Sequence, residues 1–323
     1  MKRYGILAAL LAVVVLAGCM QRAAGTGWTP AEDVPEIPER LERSEDGGVP
    51  MLTVYDVKNE RLTEMDLETY VAGVVAGEMK NDWPMEALKA QAILARTFTL
   101  KFCGDKKSKY KGADISTDVK EAQAYDADSV NDRVKQAVRE TRGMVMAYDG
   151  AYPYAWFHAH AGGMTELPTV ALDYDRADPA YLTPVKSTES DRAPADVKRW
   201  TAAFTLKEVA KACADAGLKL GGGEIESVGL GEKGASGRAK TLLVNGRSVS
   251  APSFRIQIGA NRLKSTLIDS VSVADGRVTF TGRGFGHGVG MSQWGAYEMA
   301  ERGDNAEGII RHYFRDVGIV KLW

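Results

Sequence analysis

Between residues 282 and 290 the chain reads GRGFGHGVG, with glycine at every second position. This run constrains folding more than any other segment. Glycines bring no side chains to a core and carry backbone freedom that other contacts must suppress. In an extended segment, successive residues point to opposite faces. Gly282, Gly284, Gly286, Gly288 and Gly290 would then present bare backbone on one side, with Phe285, His287 and Val289 on the other. A bare face admits close approach by a ligand or by another segment, such as the alanine-rich stretch from Ala87 to Ala95. The run is no phosphate cradle, because no Lys-Ser or Lys-Thr pair follows the glycines and dinucleotide-binding spacing is absent.

The rest of the chain can supply a core. Of 323 residues, 45% are hydrophobic, and the net charge of -2 lacks the basic surplus of a nucleic-acid binder. Three segments are expected. Residues 1–19 pair Lys2 and Arg3 with a short apolar run that ends in Leu16-Ala17-Gly18-Cys19. That is an export signal. It has the form of a bacterial lipobox, in which Cys19 would be lipidated. The alternative is an uncleaved signal anchor, and either places the rest outside the cytoplasm, held to the cell membrane at its N-terminus. Residues 20–50, rich in proline and charge, read as a tether, and residues 51–323 as the folded part. Cys103 and Cys213 are free to pair in that compartment or to stay as buried thiols.

The pattern predicts an α+β fold, with helices near the start and end and a β-rich middle. It forms one mixed domain, or two sub-domains flanking a cleft. Thr63 and Asp66 read as a cap for a helix through DLETYVAGVVAGEM. A second helix opens at Asp82-Trp83-Pro84, and a third, SVNDRVKQAVRETRG, stops at Gly143. MVMAY, Asp149-Gly150 and AYPYAWFHAH read as a hairpin. SVGLGE, TLLVNG, FRIQIG and RVTFTG read as strands, and SQWGAYEMAER and NAEGIIRHYF as closing helices.

One carboxylate stands out. Leu67, Val71, Val74 and Glu78 continue one helical stripe at steps of four, three and four. Either Glu78 takes a core position, or the helix frays at Gly77 and it faces solvent. A buried carboxyl on the last turn binds its proton more tightly, through lost solvation and the negative helix end. That suits a general acid. Glu68 and Glu86 read as ordinary exposed helix residues. On the presumed strand, Tyr152, Tyr154, Trp156, His158 and His160 share one face at period two. Such a wall could grip a sugar polymer, pack as a half-buried strand, or hold a metal through His-x-His with His287. Gly162 and Gly163 follow it in a tight bend.

Together YVAGVVAGEM, WPMEALKAQAILARTF, HAHAGGMTE, GRGFGHGVGMSQWGAYEMAERG and a late HYF resemble the stage II sporulation protein D family. The resemblance covers nearly all of the chain after about residue 50. It implies a lytic transglycosylase that cleaves the linkage between N-acetylmuramic acid and N-acetylglucosamine in peptidoglycan glycan strands, preferably strands stripped of stem peptides, and forms an anhydro sugar. It implies a part in endospore engulfment, beside a cell-wall amidase and membrane engulfment proteins. The family's catalytic glutamate falls on Glu78, which selects the buried placement. Asp114 and Asp118 are the nearest candidates for a second carboxylate. Gln91, Arg96, Tyr154, His158, Gly162, Gly163, Thr165, His287 and Gln293 are expected to line the cleft, with a purely structural role open for Arg96 and Gln293. Trp83 and Trp294 are expected to pack rather than to carry sugar. Some relatives carry a zinc site where Ser116 and Glu121-Ala122 stand here, so no metal and no cofactor are expected. A relative's description as an amidase enhancer leaves an alternative, a non-catalytic glycan-binding activator.

Overall fold

The computed structural model describes residues 34–45, 48–221 and 224–323. The lipobox with Cys19, and most of the tether, lie outside the described residues. Strand β1 (Met51–Asp56) pairs antiparallel with β2 (Arg61–Asp66), which runs directly into helix α1 (Leu67–Glu78). Asp66 alone caps α1, accepting from the Thr69 amide at 2.9 Å, while Thr63 lies within β2 opposite Val54. The cap position is the residue directly before the first helical turn, which is Asp66, whereas Thr63 stands three residues earlier in the strand.

Helix α2 (Met85–Asp105) is the central post. Ala87, Ala90, Ala92 and Ala95 are fully buried, and this lack of bulk lets α1 and later helices come close. Strand β3 (Ile115–Ser116) joins β1, helix α3 (Asp132–Glu140) packs against α1 and α2, and β4 (Met144–Ala147) follows Gly143. Asp149 and Gly150 adopt φ of 48° and 71°, the left-handed turn expected of Asp-Gly. The hairpin itself is reduced to one bridge between Tyr148 and Ala151. Of the presumed strand only β5 (Phe157–His158) is regular. Two short helices follow, α4 (Pro168–Ala171) and α5 (Ala195–Lys198).

The middle of the chain builds a second core. It comprises β6 (Trp200–Thr205), α6 (Leu206–Asp215), β7 (Val228–Leu230), β8 (Thr241–Val244), β9 (Arg247–Ser250), α7 (Ala251–Gly259), β10 (Ile268–Ala274) and β11 (Arg277–Gly282). Sheets β10-β11-β6 and β7-β8-β9 enclose Phe204, Phe254 and Phe280 with α6 and α7. FRIQIG, expected as a strand, is α7. Ser250 caps it by accepting from the Ser253 amide at 3.1 Å, and Pro252 occupies its first turn. Phe254 and Ile258, four apart, face the core, whereas Ile256 between them is 65% exposed. The alternation in the sequence was therefore not a buried face.

The chain then returns to the first core through β12 (Met291–Ser292), α8 (Gln293–Glu301), α9 (Ala306–Tyr313) and β13 (Gly318–Lys321). Strand β4 pairs with β13, near the opposite end of the chain. The fold is mixed α+β with two hydrophobic cores, and the glycine-rich run is the path by which the chain leaves the second core and re-enters the first. Cys103 and Cys213 are free and sit one in each core.

Candidate active site

The buried stripe on α1 is as the periodicity predicts: Leu67, Tyr70, Val71, Val74 and Val75 are fully buried. Glu78 closes that stripe, half-buried, before Met79 ends the helix in extended conformation. Two donors hold its carboxylate. The Ala124 amide donates to Oε1 at 2.7 Å, and Gln293 Nε2 approaches Oε2 at 3.4 Å. Among the described residues no Lys, Arg or His forms an ion pair with it. Burial pushes its proton affinity up, the two hydrogen bonds pull it partly back, and the net direction is upward. The negative end of α1 acts in the same direction as burial.

Two glycines of α1 make the first donor possible. A Cβ on Gly73 would meet the Tyr125 ring at 2.3 Å, and one on Gly77 would meet the Tyr125 amide nitrogen at 2.7 Å. With neither present, the 123–126 loop lies flat on the helix, and the Asp126 amide donates to the Gly73 carbonyl at 2.9 Å. The 118–124 segment is braced in turn by Glu121, which accepts from Ser108 Oγ at 2.7 Å, Ser116 Oγ at 2.5 Å and the Lys109 amide at 2.6 Å. Ser116 and Glu121 are thus bonded to one another. Ala124 was not foreseen. The signal for it was the Gly73–Gly77 spacing inside an otherwise bulky helix.

The second donor comes from the glycine-rich run. Gly284, Gly286, Gly288 and Gly290 all have positive φ, from 69° to 103°, so the run is not an extended strand. Nor does it pack on the alanine-rich helix. A Cβ on Gly286 would strike His158 Cβ at 2.7 Å, one on Gly288 the Arg238 guanidinium at 2.4 Å, and one on Gly290 the Trp156 carbonyl at 2.0 Å. The ribbon is molded on residues 156–161. Beyond it the Met291 amide donates to the Trp156 carbonyl at 3.1 Å, and Ser292 caps α8, which begins with Gln293.

The three histidines of this region are held by main-chain hydrogen bonds. His158 Nδ1 lies 3.1 Å from the Val289 carbonyl, which requires a proton on that nitrogen. His287 Nδ1 accepts from the Val289 amide at 3.0 Å, and its ring is also bonded to the Phe157 backbone. His160 Nδ1 accepts from the Gly162 amide at 3.0 Å. Burial drives all three proton affinities down, to about 3 for His287 and about 4 for His160, with Arg238 adding repulsion. Among the described residues no group of three or more His, Cys, Asp or Glu is placed to hold a metal ion.

A second carboxyl is buried here. Glu189 accepts from the Ala161 amide at 3.1 Å and from Ser292 Oγ at 2.8 Å, and burial pushes it up to about 7. Arg238, fully buried, reaches in from the second core and donates to the carbonyls of Ala161 at 2.6 Å and Met164 at 2.8 Å. Nothing in the sequence marked either residue.

The other expected residues are spread more widely. Arg96, expected in the cleft, is fully buried and pairs with Glu68 at 2.6 Å, which also accepts from the Gly143 amide and Trp323 Nε1. Glu68 is thus a structural anchor rather than an exposed helix residue. Glu86 likewise accepts from the Ala306 amide at 2.9 Å. Gln91 is fully buried, with both side-chain amide atoms lacking a protein partner. Thr165 is buried and exchanges hydrogen bonds with the Val185 backbone. Gly162 leaves room for Leu267, whose Cδ2 would lie 2.7 Å from an added Cβ, while Gly163 is exposed. Asp114 is held by Arg40 and the Thr53 amide, and Asp118 by Lys109 and Tyr110. Neither is turned to Glu78 as a second carboxylate. Trp83 and Trp294 pack on one another, with centroids 4.5 Å apart. Tyr154 stacks on Trp156 in a groove beside the 121–122 turn. A larger hollow of 590 Å³ between α1 and α3 is lined by Glu68, Ala72, Tyr125, Lys135 and Arg142; Tyr125 is stacked on the buried Tyr70, and Glu78 is not among the lining residues.

Comparison with known proteins fits this geometry. The family model for stage II sporulation protein matches residues 55–148, which deliver Glu78 and Ala124. A domain of unknown function matches residues 174–290, spanning the second core and the ribbon. Stage II sporulation protein D of Bacillus amyloliquefaciens is 31% identical over 82% of this chain and 77% of its own. An uncharacterized protein of Brachyspira hyodysenteriae is 32% identical over 80% of this chain and 68% of its own. The amidase enhancer of Bacillus subtilis is 29% identical over 75% of this chain but only 39% of its own. With a shared core of that extent, the chain belongs to the stage II sporulation protein D family.

Proposed function

We propose that this protein is a lytic transglycosylase that cleaves the bond between N-acetylmuramic acid and N-acetylglucosamine in peptidoglycan, with Glu78 as its only acid and base. The observation that carries this reading is the Glu78 carboxyl: sheltered, without a cationic partner, with its proton affinity raised, and oriented by one amide and one carboxamide. Such a group gives up its proton only to a partner brought against it. It would protonate the bridging oxygen as that bond breaks, leaving an oxocarbenium-like sugar. The resulting carboxylate would take the proton of the muramic acid's own primary hydroxyl as that oxygen closes on the anomeric carbon. An anhydro sugar results, Glu78 ends protonated as it began, and no water is consumed. Strands already stripped of peptides, the compartment outside the membrane, a lipid or signal anchor at residues 1–19 and a part in spore engulfment complete the reading.

The test is to incubate the purified protein with peptide-free glycan strands and look for anhydro-ended fragments by mass spectrometry. Glu78→Gln keeps the shape and removes the proton, so product formation should fall by roughly 10²–10⁴-fold, the usual worth of general acid–base catalysis. Undiminished product from that variant would end the assignment. One relative's name, amidase enhancer, supports a second reading as a non-catalytic activator. In that case neither form yields fragments, and a cell-wall amidase accelerates when either is added.

A further inference from the structure

Trp156 has not been given a role by the chemistry above, yet its surroundings are built. It stacks on Tyr154 with centroids 4.5 Å apart and planes within 9°. Tyr174 meets both rings edge-on, at 5.7 and 6.0 Å, and Lys101 Nζ sits 4.3 Å from the Tyr154 centroid. The Trp156 side chain is therefore fixed before anything binds, while remaining partly open on a groove of 350 Å³. Phe98, Lys101, Lys106 and Ala122 also face that groove.

Each wall of the groove is tied, by chain or by hydrogen bond, to one of the two groups that hold Glu78. Ala122 on one wall stands two residues before Ala124, whose amide holds the carboxylate at 2.7 Å. Two residues span at most about 7 Å. Trp156 on the other wall accepts from the Met291 amide at 3.1 Å, and Met291 stands two residues before Gln293, the other group on Glu78. The groove and the carboxyl thus share the same two supports.

We propose that this groove is a saccharide subsite of the Glu78 centre, with the Trp156 ring as the platform for an N-acetylhexosamine. The inference rests on the glycan-cleaving reading and adds where the sugar chain lies. A pyranose has apolar C–H faces and polar edges. It needs an aromatic surface with a few donors on the rim, the usual make-up of a small-molecule pocket. Trp156 supplies the surface, Tyr154 and Tyr174 keep it from turning, and Lys101, paired with Asp105 at 3.1 Å, and Lys106 and Glu121 supply polar groups along the groove. A platform fixed in advance loses little freedom on binding.

The test uses binding rather than cleavage, so that the groove and Glu78 are judged separately. In the Glu78→Gln background, tetra-N-acetylchitotetraose is titrated while tryptophan emission and calorimetry are followed. The parent should bind with an emission shift. Trp156→Ala should weaken binding at least tenfold. Trp156→Phe, which keeps a ring and guards against misfolding, should weaken it less and abolish the emission shift. Unchanged affinity in both variants, or a shift that persists in Trp156→Phe, overturns the subsite. If the subsite fails in this way while Trp156→Ala alone still cleaves glycan strands at the wild-type rate, the Glu78 reading stands without it. If the Glu78→Gln parent binds no sugar and the wild type cleaves none, both readings fall together.

Discussion

Glycine is used in two opposite ways on the two sides of Glu78. In α1, Gly73 and Gly77 keep helical backbone and serve only by lacking a side chain, so that the 123–126 loop can lie on the helix and aim one amide at the carboxylate. In the 284–290 ribbon the glycines lack side chains and also adopt positive φ, a region L-residues seldom enter. The first pair could change identity without breaking the helix. The second set cannot change without moving the backbone. The α1 side of the site thus rests on close packing and hydrogen bonds over ordinary helical backbone, whereas the Gln293 side rests on an unusual backbone shape.

Substitutions separate these two uses. The largest effect is expected for Gly290→Ala, which combines φ of 69° with a Cβ 2.0 Å from the Trp156 carbonyl. Strain of this kind costs about 1–3 kcal/mol and the collision adds to it. Urea unfolding should therefore show a loss of about 3 kcal/mol or more. A loss under about 1 kcal/mol would mean that the ribbon is not seated on residues 156–161.

Gly77→Ala should behave differently. Alanine favours a helix over glycine by about 1 kcal/mol, which offsets part of the crowding. The added Cβ instead pushes the Tyr125 and Ala124 backbone away from the helix. The protein should stay folded while glycan cleavage drops by roughly 10–100-fold, the scale of one lost hydrogen bond to a charged group. The Ala124 amide lowers the proton affinity of Glu78. Its loss should move the alkaline limb of the activity profile to higher pH. Wild-type kinetics and an unmoved limb would show that this amide does not govern Glu78.

Acid stability probes the ribbon side. His287 and His160 fall from 6.5 to about 3 and about 4 in the fold, and His158 falls as well. Below pH 6.5 the unfolded chain binds more protons at these sites, so each removes about 1.4 kcal/mol of stability per pH unit until its folded value is reached. Glu189 runs the other way. Its folded value of about 7 exceeds the ordinary 4.5, so between those limits the folded state binds the extra proton and gains stability on acidification. Stability should therefore decline from pH 6.5 downward, less steeply between 6.5 and 4.5, where Glu189 offsets one of the three histidines, than just below 4.5. In Glu189→Gln the decline should already be steep from pH 6.5, and thermal melts across that range would reveal an unaltered slope if Glu189 is not buried as described.

The smallest effect is expected for Gln293→Leu. At 3.4 Å its hydrogen bond to Glu78 is long, so cleavage should fall only a few-fold and the alkaline limb should rise slightly. A loss as large as that of Gly77→Ala would reverse the order of the two supports.

Much of this molecule was readable before its coordinates. The steps of four, three and four that carry Glu78 into the α1 stripe, the Asp66 cap and the closing helix NAEGIIRHYF are local features, set by side chains within one or two turns. FRIQIG misled because two neighbouring signals, the Ser250 cap and Pro252, outweighed a chance alternation. The Asp149-Gly150 turn was legible, but its strand took a partner at residues 318–321. Sequence distance hides such pairings.

The sequence by itself determined which carboxyl is set apart from its helix neighbours and which segment must surrender its side chains, because both follow from spacing along the backbone. Only the tertiary structure decided what fills the bare places. The Ala124 amide and the Trp156 carbonyl are main-chain groups, present at every residue and invisible in a string of side-chain names. Arg238 and Glu189 reach the junction from segments whose local pattern is unremarked. Their meeting depends on how two cores close around one ribbon, which no single stretch of the chain encodes.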